Sequence, residues 1–290
     1  MIRIEESETE VKVTFSDGTT DTGDLLIGCD GIHSAVRKLY VDPEHALEYT
    51  GFSTLAAILP KSALPEGSVD DLKGIVATLT TQGVFLTMSC SAKDDEVFWA
   101  FSTQVSLPNT GDTRDGWEVK RKEEVAGFKN DLLDLLRNAK GEWGHAMRAM
   151  IEQTSVVRFY PIFKLASGGE WYKGRCLLLG DAAHAMSPHA GQGVSMAIED
   201  VFMMARLLED HTRPLEDVFE KFDAVRRPRV NEITAQAAKN SEVRKRSGEW
   251  GLWWKETVIW AYFRVSSLVG YNSLAGMERQ YLYDVDEVDI

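Results

Sequence analysis

The chain has 290 residues, 44% of them hydrophobic, which is enough to bury a sizeable core in one large domain or two smaller ones. The formal net charge of −13 argues against a nucleic-acid partner, because an acidic surface repels polyphosphate. The three cysteines (Cys29, Cys90 and Cys176) lack C-x-x-C spacing, so we expect neither a disulfide framework nor a zinc site. The polar first residues and the shortness of every apolar run predict a soluble, cytoplasmic protein without signal peptide or transmembrane segment.

The N-terminal segment predicts a β-hairpin. EVKVTF at 10–15 alternates polar and apolar residues, a Ser-Asp-Gly turn follows, and DLLIGCDG at 24–31 is expected to be the second strand. This second strand is almost uniformly apolar, so it needs cover on both faces, as in an α/β core. Ser34 is placed to cap the turn that comes next.

The middle of the chain predicts an antiparallel sheet followed by a helix. Four runs have β character and lie at 52–59, 74–80, 84–90 and 96–104. Helical spacing of apolar residues then extends over 118–138, and VVRFYPIF at 156–163 returns to β character.

The last third predicts mainly helices after one strand, CLLL at 176–179. The first helix is expected at 193–209, and a second one follows in which Pro228 should introduce a kink or a break. The Trp-rich tail EWGLWWKETVIWAYFRV is favoured as a helix packed on the body. A helix that binds a membrane surface or a partner remains open.

The segment GDAAHAMSPHAGQG at 180–193 links the predicted strand at 176–179 to the predicted helix at 193–209. The strand end places Asp181 at the carboxyl edge of a sheet, where it can accept hydrogen bonds from a polyol. Gly191 and Gly193 let a flat ligand approach the backbone, and the free N–H groups at the helix start favour negative charge. These features suit a ligand with a polyol chain beside a flat ring that becomes anionic, and reduced flavin is such a ligand.

The same motif resembles the second FAD motif of the single-component flavin monooxygenases, relatives of para-hydroxybenzoate hydroxylase and salicylate hydroxylase. DLLIGCDGIHSAVR at 24–37 resembles the other internal motif of this family, with Cys29 in place of the usual Ala. The two motifs occur in the family's order with a segment of substrate-domain size between them. The resemblance covers essentially the whole chain.

The resemblance implies an α/β fold: a truncated FAD-binding body with an inserted antiparallel-sheet substrate domain. Strand 24–30 should lie beside strand 176–180, so that both motifs meet at one cleft. The implied domains are a discontinuous body of 1–45 and 155–240, a substrate domain of 46–154, and a C-terminal helical tail of 241–290.

The resemblance also implies roles for individual residues. Asp181 would bind the ribityl chain, and the helix start at Gly191–Gly193 would face the flavin pyrimidine. Asp30 and Arg37 would lie near the cofactor, where the family also engages NAD(P)H. The full implied cofactor-binding set is Asp30, Gly31, Arg37, Gly180, Asp181, Pro188, Gly191, Gln192 and Gly193. We assign no catalytic acid or base, and we expect substrate-pocket residues in 51–59, 84–104 and 160–163.

The implied activity is hydroxylation or epoxidation of an aromatic or polycyclic small molecule with FAD, NAD(P)H and dioxygen. Two alternatives stay open: a flavin-independent cyclase or isomerase built on the same pocket, and a non-catalytic binding partner. Which substrate is used, NADH or NADPH, and the oligomeric state do not follow from the sequence.

The family fold begins with a βαβ unit that carries G-x-G-x-x-G, and this pattern does not occur in the 290 residues. Gene-model truncation, a fragment, or a protein that functions without this unit would each explain its absence. Without the pyrophosphate site, we expect this chain alone to hold FAD weakly.

Other candidate signals favour structural roles. His184 and His189 lack further convergent ligands nearby, so hydrogen-bonded histidines are favoured over a metal site. The GVSMA segment lacks the last glycine of a nucleophile elbow and lies within the predicted helix, which argues against a hydrolase. The three arginines in RRPRV are expected to form ion pairs, with phosphate binding as the alternative: Arg226, Arg227 and Arg229.

Overall fold

The computed structural model describes residues 1–70, 72–107, 123, 125, 127–268 and 282–290. These residues form two compact units. Unit 1 combines Met1–Thr50, Phe163–Ser241 and the described C-terminal residues; unit 2 combines Gly51–Ile162 with the segment after Ser241. The boundaries between the two units therefore lie a few residues after the limits predicted for the inserted substrate domain, 46–154. The assignment of these units as FAD-binding and substrate domains stays a prediction.

Three short antiparallel strands begin unit 1: β1 (Arg3–Glu6), β2 (Val11–Thr14) and β3 (Thr20–Gly23). The predicted hairpin partner of β2 was wrong, because β2 pairs with β3 and not with 24–31. All four β3 side chains are polar or glycine and all are exposed, so no apolar alternation marks the strand. The turn between β2 and β3 is closed by Asp17, whose carboxylate accepts a hydrogen bond from the Thr19 N–H.

The second sheet of unit 1 has the order β10-β11-β4. It is formed by β4 (Leu26–Gly28), β10 (Tyr172–Lys173) and β11 (Cys176–Leu178). β11 runs antiparallel to β10 and parallel to β4, which confirms the predicted adjacency of the two motif-bearing strands. All three residues of β11 are buried, so its uniformly apolar sequence is explained by cover on both faces.

Helices pack around this sheet: α3 (Asp181–His184), α4 (Gly193–Leu207) and α5 (Leu215–Val243). The predicted helix at 193–209 is confirmed. Pro228 lies inside α5 and does not break it, because buried side chains hold the helix in the core on both sides of the proline. These side chains are Val218, Phe219, Phe222, Val230 and Ile233.

Unit 2 is built on a five-stranded sheet of order β6-β7-β8-β5-β9. Its strands confirm the β segments predicted in 51–104 and at 156–163: β5 (Leu47–Pro60), β6 (Val76–Leu79), β7 (Gly83–Ser89), β8 (Glu96–Gln104) and β9 (Arg158–Leu165). Residues 127–135 (α1) are helical as predicted, and α2 (Gly141–Gln153) follows. Part of the predicted helix, 118–122, falls outside the described residues.

One face of this sheet is covered by the helices through an aromatic stack. The buried Trp99 ring lies 5.5 Å from Phe85 and 6.0 Å from Phe128, and its Nε1 donates a hydrogen bond to Thr154 Oγ1 at 2.9 Å. The polar edge of the indole is thereby satisfied inside the core.

The C-terminal helix α6 (Glu249–Leu268) differs from the favoured prediction of a helix packed on the body. Ser266 is its only buried residue, and its tryptophans are among the most exposed side chains of the chain. Among the described residues, no helix has both the length and the apolar content that crossing a membrane requires.

Candidate functional site

The two sequence motifs meet where β4 and β11 end. Leu178 pairs with Gly28 in the parallel register, and the Leu179 N–H donates to the Gly28 carbonyl at 3.0 Å. Gly28 is required for this approach, since a Cβ there would lie 2.8 Å from Leu178 Cδ2 and 2.9 Å from Val36 Cβ. Parallel strands deliver their following loops to the same sheet edge, which is where α/β folds bind ligands.

The turn after β11 depends on two glycines with positive φ. Gly180 has φ +58° and Gly191 has φ +68°, conformations that other residues rarely adopt. Pro188–Ala190 forms a 3-10 turn between them, and Gln192 is the N-cap of α4. The loop is thus folded back so that the first turn of α4 reaches the strand end.

A cavity of about 630 Å³ opens at this edge. Six of the nine predicted cofactor-binding residues line it: Gly31, Gly180, Asp181, Pro188, Gly191 and Gly193. The other lining residues are apolar or small: Cys29, Leu179, Met186, Val194, Ala197 and Val201. Its volume is in the range of small-molecule and cofactor sites, and Asp181 contributes its one carboxylate.

The remaining three predicted residues lie outside this lining. Asp30 is exposed, and its carboxylate accepts hydrogen bonds from the Ala35 and Val36 N–H groups at 2.6 and 3.3 Å. Burial acts to raise the pKa of Asp30, but the hydrogen bonds from Ser34 and these N–H groups lower it overall. Asp30 therefore caps the turn that leads into Arg37–Val41, and Ser34 contributes as predicted by accepting from the Arg37 N–H at 3.0 Å.

Arg37 connects the two motifs. Its side chain is fully buried and donates to the carbonyls of Ala182, at 2.6 Å, and Ile32. Its Nε has no hydrogen-bond partner among the described residues. The structure thus shows Arg37 holding the two loops together, while its cofactor contact remains a prediction.

Gln192 is the third residue outside the lining. It is only 3% exposed, and its Nε2 has no partner within the described part of the chain. Because an unsatisfied buried amide is costly, this donor is suited to a ligand that reaches the α4 N-terminus.

A buried ionic network supports the turn from behind. Asp200 on α4 is fully buried and accepts hydrogen bonds from the Gly180 N–H (2.9 Å), His184 Nε2 (2.7 Å) and Arg226 Nε (2.9 Å). Burial alone would raise the pKa of Asp200. The hydrogen bond and charge of His184, the charge of Arg226 and the Gly180 N–H together lower it.

The arginines and histidines singled out in the sequence have the predicted structural roles. Arg226 and Arg229 form ion pairs with Glu199 at 2.6 and 3.3 Å, and Arg227 pairs with Asp223 at 2.8 Å. The ring of His189 lies 2.9 Å from Ser187 Oγ and 2.6 Å from Ser241 Oγ. The described residues contain no group of His, Cys, Asp and Glu that could hold a metal ion.

Sequence reasoning missed Asp200 and Glu199, although one signal was present. Asp200 follows Met196 by four residues and precedes Met203, Met204 and Leu207, so it falls on the buried apolar stripe of α4. A carboxylate in such a stripe needs a buried cation, and the nearby arginine cluster supplies one.

Solved structures share this fold. HpxO of Klebsiella pneumoniae in complex with FAD and uric acid has a TM-score of 0.68 at 23% identity, covering 88% of this chain and 61% of its own. A salicylate hydroxylase substrate complex has a TM-score of 0.69 at 20% identity, covering 98% of this chain and 68% of its own. At these identities the likeness establishes the fold.

The sequence profile of the FAD binding domain family matches residues 2–237, and the chain belongs to this family. A 6-hydroxynicotinate 3-monooxygenase of Pseudomonas fluorescens is 29% identical over 84% of this chain and 60% of its own length. A salicylate hydroxylase of Pseudomonas putida is 30% identical over 83% of this chain and 56% of its own length. The chain thus spans somewhat more than half the length of these relatives.

Proposed function

We propose that this chain forms the part of a FAD-dependent monooxygenase that holds the flavin ring and the substrate. The reaction would be hydroxylation or epoxidation of an aromatic or polycyclic small molecule with NAD(P)H and dioxygen. The observation that carries the proposal is the meeting of both internal motifs at the edge of one cavity of about 630 Å³.

The residues at this edge fit the chemistry of FAD. The cavity is lined mostly by small and apolar groups, and neither Gly191 nor Gly193 has a heavy atom within 4 Å of the position a Cβ would take. This open space suits a flat ring laid against backbone. Asp181 can accept hydrogen bonds from a polyol chain, and the Gln192 amide is an unused donor beside the α4 N-terminus.

When bound, FAD supplies electron transfer from NAD(P)H and the activation of dioxygen. The chain's own residues then bind and orient it. Asp181 would hold the ribityl hydroxyls, and the N–H groups of the first turn of α4 would stabilise negative charge on the ring through hydrogen bonding and the helix dipole. Asp200 and Arg37 keep these groups in place.

The substrate class is taken from the relatives' names and from the composition of unit 2. The two relatives reported above are named for small aromatic acids, 6-hydroxynicotinate and salicylate. Within unit 2, a cavity of about 380 Å³ is lined by Ile58, Phe98 and Tyr160 of the predicted pocket segments and also by Arg158, which lies outside them. Its aromatic walls and single cation are compatible with an aromatic anion.

Replacement of Asp181 by alanine tests the flavin site. We expect Asp181→Ala to weaken FAD binding by about 1–3 kcal/mol, roughly 5- to 150-fold in Kd, because a polar cofactor group loses its acceptor. Quenching of flavin fluorescence on titration gives the Kd of each protein. Asp24→Ala is the matched control, since Asp24 is also an exposed carboxylate but lies outside the cavity lining, and it should bind FAD as the unaltered chain does.

Turnover assays separate the proposed reaction from the alternatives. NAD(P)H oxidation coupled to a product one oxygen atom heavier, with added FAD and a panel of aromatic acids, supports a monooxygenase. Conversion of a substrate without flavin would replace the proposal by a cyclase or isomerase. Equal FAD affinity of Asp181→Ala and the unaltered chain would remove the assigned site.

A further inference from the structure

Helix α6 carries a mainly apolar stripe that is exposed at both ends. The stripe follows a repeated spacing of four and three residues, so its members lie on one side of the helix. We call this set the α6 stripe: Trp250, Trp254, Thr257, Ala261, Arg264 and Leu268. Its ends are highly exposed, with 84% of Trp250, 62% of Trp254 and 73% of Leu268 accessible.

The N-terminal half of α6 is hydrogen-bonded to the segment that precedes it. Lys255 Nζ donates to the carbonyls of Val243 and Lys245 at 3.3 and 2.8 Å, and Ser266 is buried. Thr257 Oγ1 donates to the Trp253 carbonyl at 2.7 Å, so its polar group is already satisfied within the helix.

We propose that the α6 stripe binds the same stripe of a second copy of this chain, with the two helices antiparallel. A two-fold axis between Thr257 and Ala261 maps the stripe onto itself. Trp250 then faces the other copy's Leu268, Trp254 faces Arg264, and Thr257 faces Ala261. This proposal is independent of the proposed enzymatic function.

The residue types suit this register. The two small residues lie at the centre, where the helices approach most closely, and the large ones lie toward the ends. Arg264 is the only charged member of the stripe, and the antiparallel register places its guanidinium against the indole of Trp254, a favourable cation–π pair. A parallel register would instead place Arg264 against Arg264.

The exposed apolar area approaches what a stable dimer needs. Trp250 and Trp254 of the stripe and the flanking Trp253 and Trp260 are each more than half exposed, and the four together present on the order of 500 Å². Val258 and Val265 flank the stripe and are also about half exposed. With Leu268 included, the surface comes close to the roughly 800 Å² per partner of a standard interface.

The charge pattern favours a second copy over a lipid surface. Helices that lie in the membrane interface carry a strongly charged, usually basic polar face. The charges of α6 instead balance: Glu249 and Glu256 against Lys255 and Arg264. The chain as a whole carries −13, which opposes binding to anionic lipid.

Sedimentation velocity over a range of protein concentrations tests the proposal. We expect a monomer–dimer equilibrium whose Kd rises at least about tenfold in Trp254→Glu, because a carboxylate would be buried in the apolar seam. Phe263→Glu is the matched control. Phe263 follows Trp254 by nine residues, which places it on the opposite side of the helix at about 100° per residue. The exposed fraction of Phe263, 52%, is similar to that of Trp254. Because Phe263 lies outside the α6 stripe, Phe263→Glu should leave the Kd unchanged.

Disulfide trapping tests the register. The exposed Cys29 and Cys90 are first replaced by serine. Thr257→Cys and Ala261→Cys proteins should then form a disulfide-linked dimer when mixed under oxidising conditions, and neither should do so alone.

Several outcomes would overturn the proposal. They are a chain that stays monomeric at all concentrations, a dimer that Trp254→Glu does not weaken while circular dichroism shows native helix content, and disulfide dimers of Thr257→Cys alone. Sedimentation of a monomeric chain with phosphatidylcholine vesicles would assign the stripe to a membrane surface instead.

Discussion

Asp200 accepts hydrogen bonds from three groups in two separate segments of unit 1, and none of its side chain reaches solvent. Asp200→Asn should lower the free energy of unfolding by about 3 kcal/mol, because Arg226 and the Gly180 N–H lose a buried anionic partner. Urea unfolding measures the change. Asp223→Asn removes the half-buried pair with Arg227 and should cost less than about 1 kcal/mol. Equal losses in the two variants would contradict this role.

The direction of the Asp200 pKa shift predicts how the destabilisation by Asp200→Asn changes with pH. The pKa of Asp200 in the folded chain lies below its ordinary value of 3.8. A depressed folded-state pKa gives stabilisation that is present above the unfolded pKa and is lost as pH falls through the folded value. The stability difference between the unaltered chain and Asp200→Asn should therefore persist at neutral pH and shrink only below about pH 4. A difference that already shrinks between pH 7 and 5 would contradict this assignment.

At the scale of residues, motif spacing predicted which groups gather at the cavity but not what holds them. Asp181 and the flanking glycines were found because a ligand-binding turn needs those residue types at fixed spacing. The roles of Arg37 and Asp200 were harder to predict, since their partners are backbone groups and side chains distant in sequence. Only the tertiary packing of α4 and α5 brings those partners together.

Among the elements, β4 depends on one glycine. Gly28→Ala should lower the free energy of unfolding by about 1–3 kcal/mol, because its Cβ would overlap Leu178 and Val36 and force β4 away from β11. Thermal or urea unfolding measures this. Gly248→Ala is the control, since its Cβ would meet no heavy atom within 4 Å and its φ is not positive. If both variants unfold alike, close packing at Gly28 is not what fixes the strand pair.

The strands of unit 2 were predictable because their sequences are long and rich in β-branched and aromatic residues. β3 escaped prediction, since a short polar strand on an exposed sheet leaves no pattern. The predicted packing of α6 on the body was wrong for a different reason. The spacing of apolar residues indicates that a helix has an apolar face, but it does not indicate whether that face packs against the rest of the protein.

For the molecule as a whole, the phosphate part of the cofactor decides how tightly FAD is held. A protein of these 290 residues alone should purify largely colourless, because each missing charge-assisted hydrogen bond to the pyrophosphate forfeits roughly 1.5–3 kcal/mol. The visible absorbance of the purified chain, compared with its protein concentration, measures the bound flavin.

Fusion of a G-x-G-x-x-G βαβ segment before residue 1 is the comparison, and it should restore a yellow protein. Stoichiometric flavin in the unextended chain would contradict the weak-binding argument. The arginines around Arg226 would not explain such binding readily, because their guanidinium groups are already paired with Glu199, Asp200 and Asp223.

The hydrogen bond between the Gly180 N–H and buried Asp200 also bears on the order in which unit 1 assembles. Because Asp200 also needs the guanidinium of Arg226 on α5, we expect the strand-end turn to reach its final conformation only once α4 and α5 have docked. The rim of the cavity would then form late in folding, although its residues are close neighbours in sequence. For the same reason, we expect the Gly180 amide proton to exchange slowly with solvent, through openings that separate these helices. A ligand arriving from solvent would then meet a Gly180 turn that is already ordered, so binding would cost little entropy at this part of the rim.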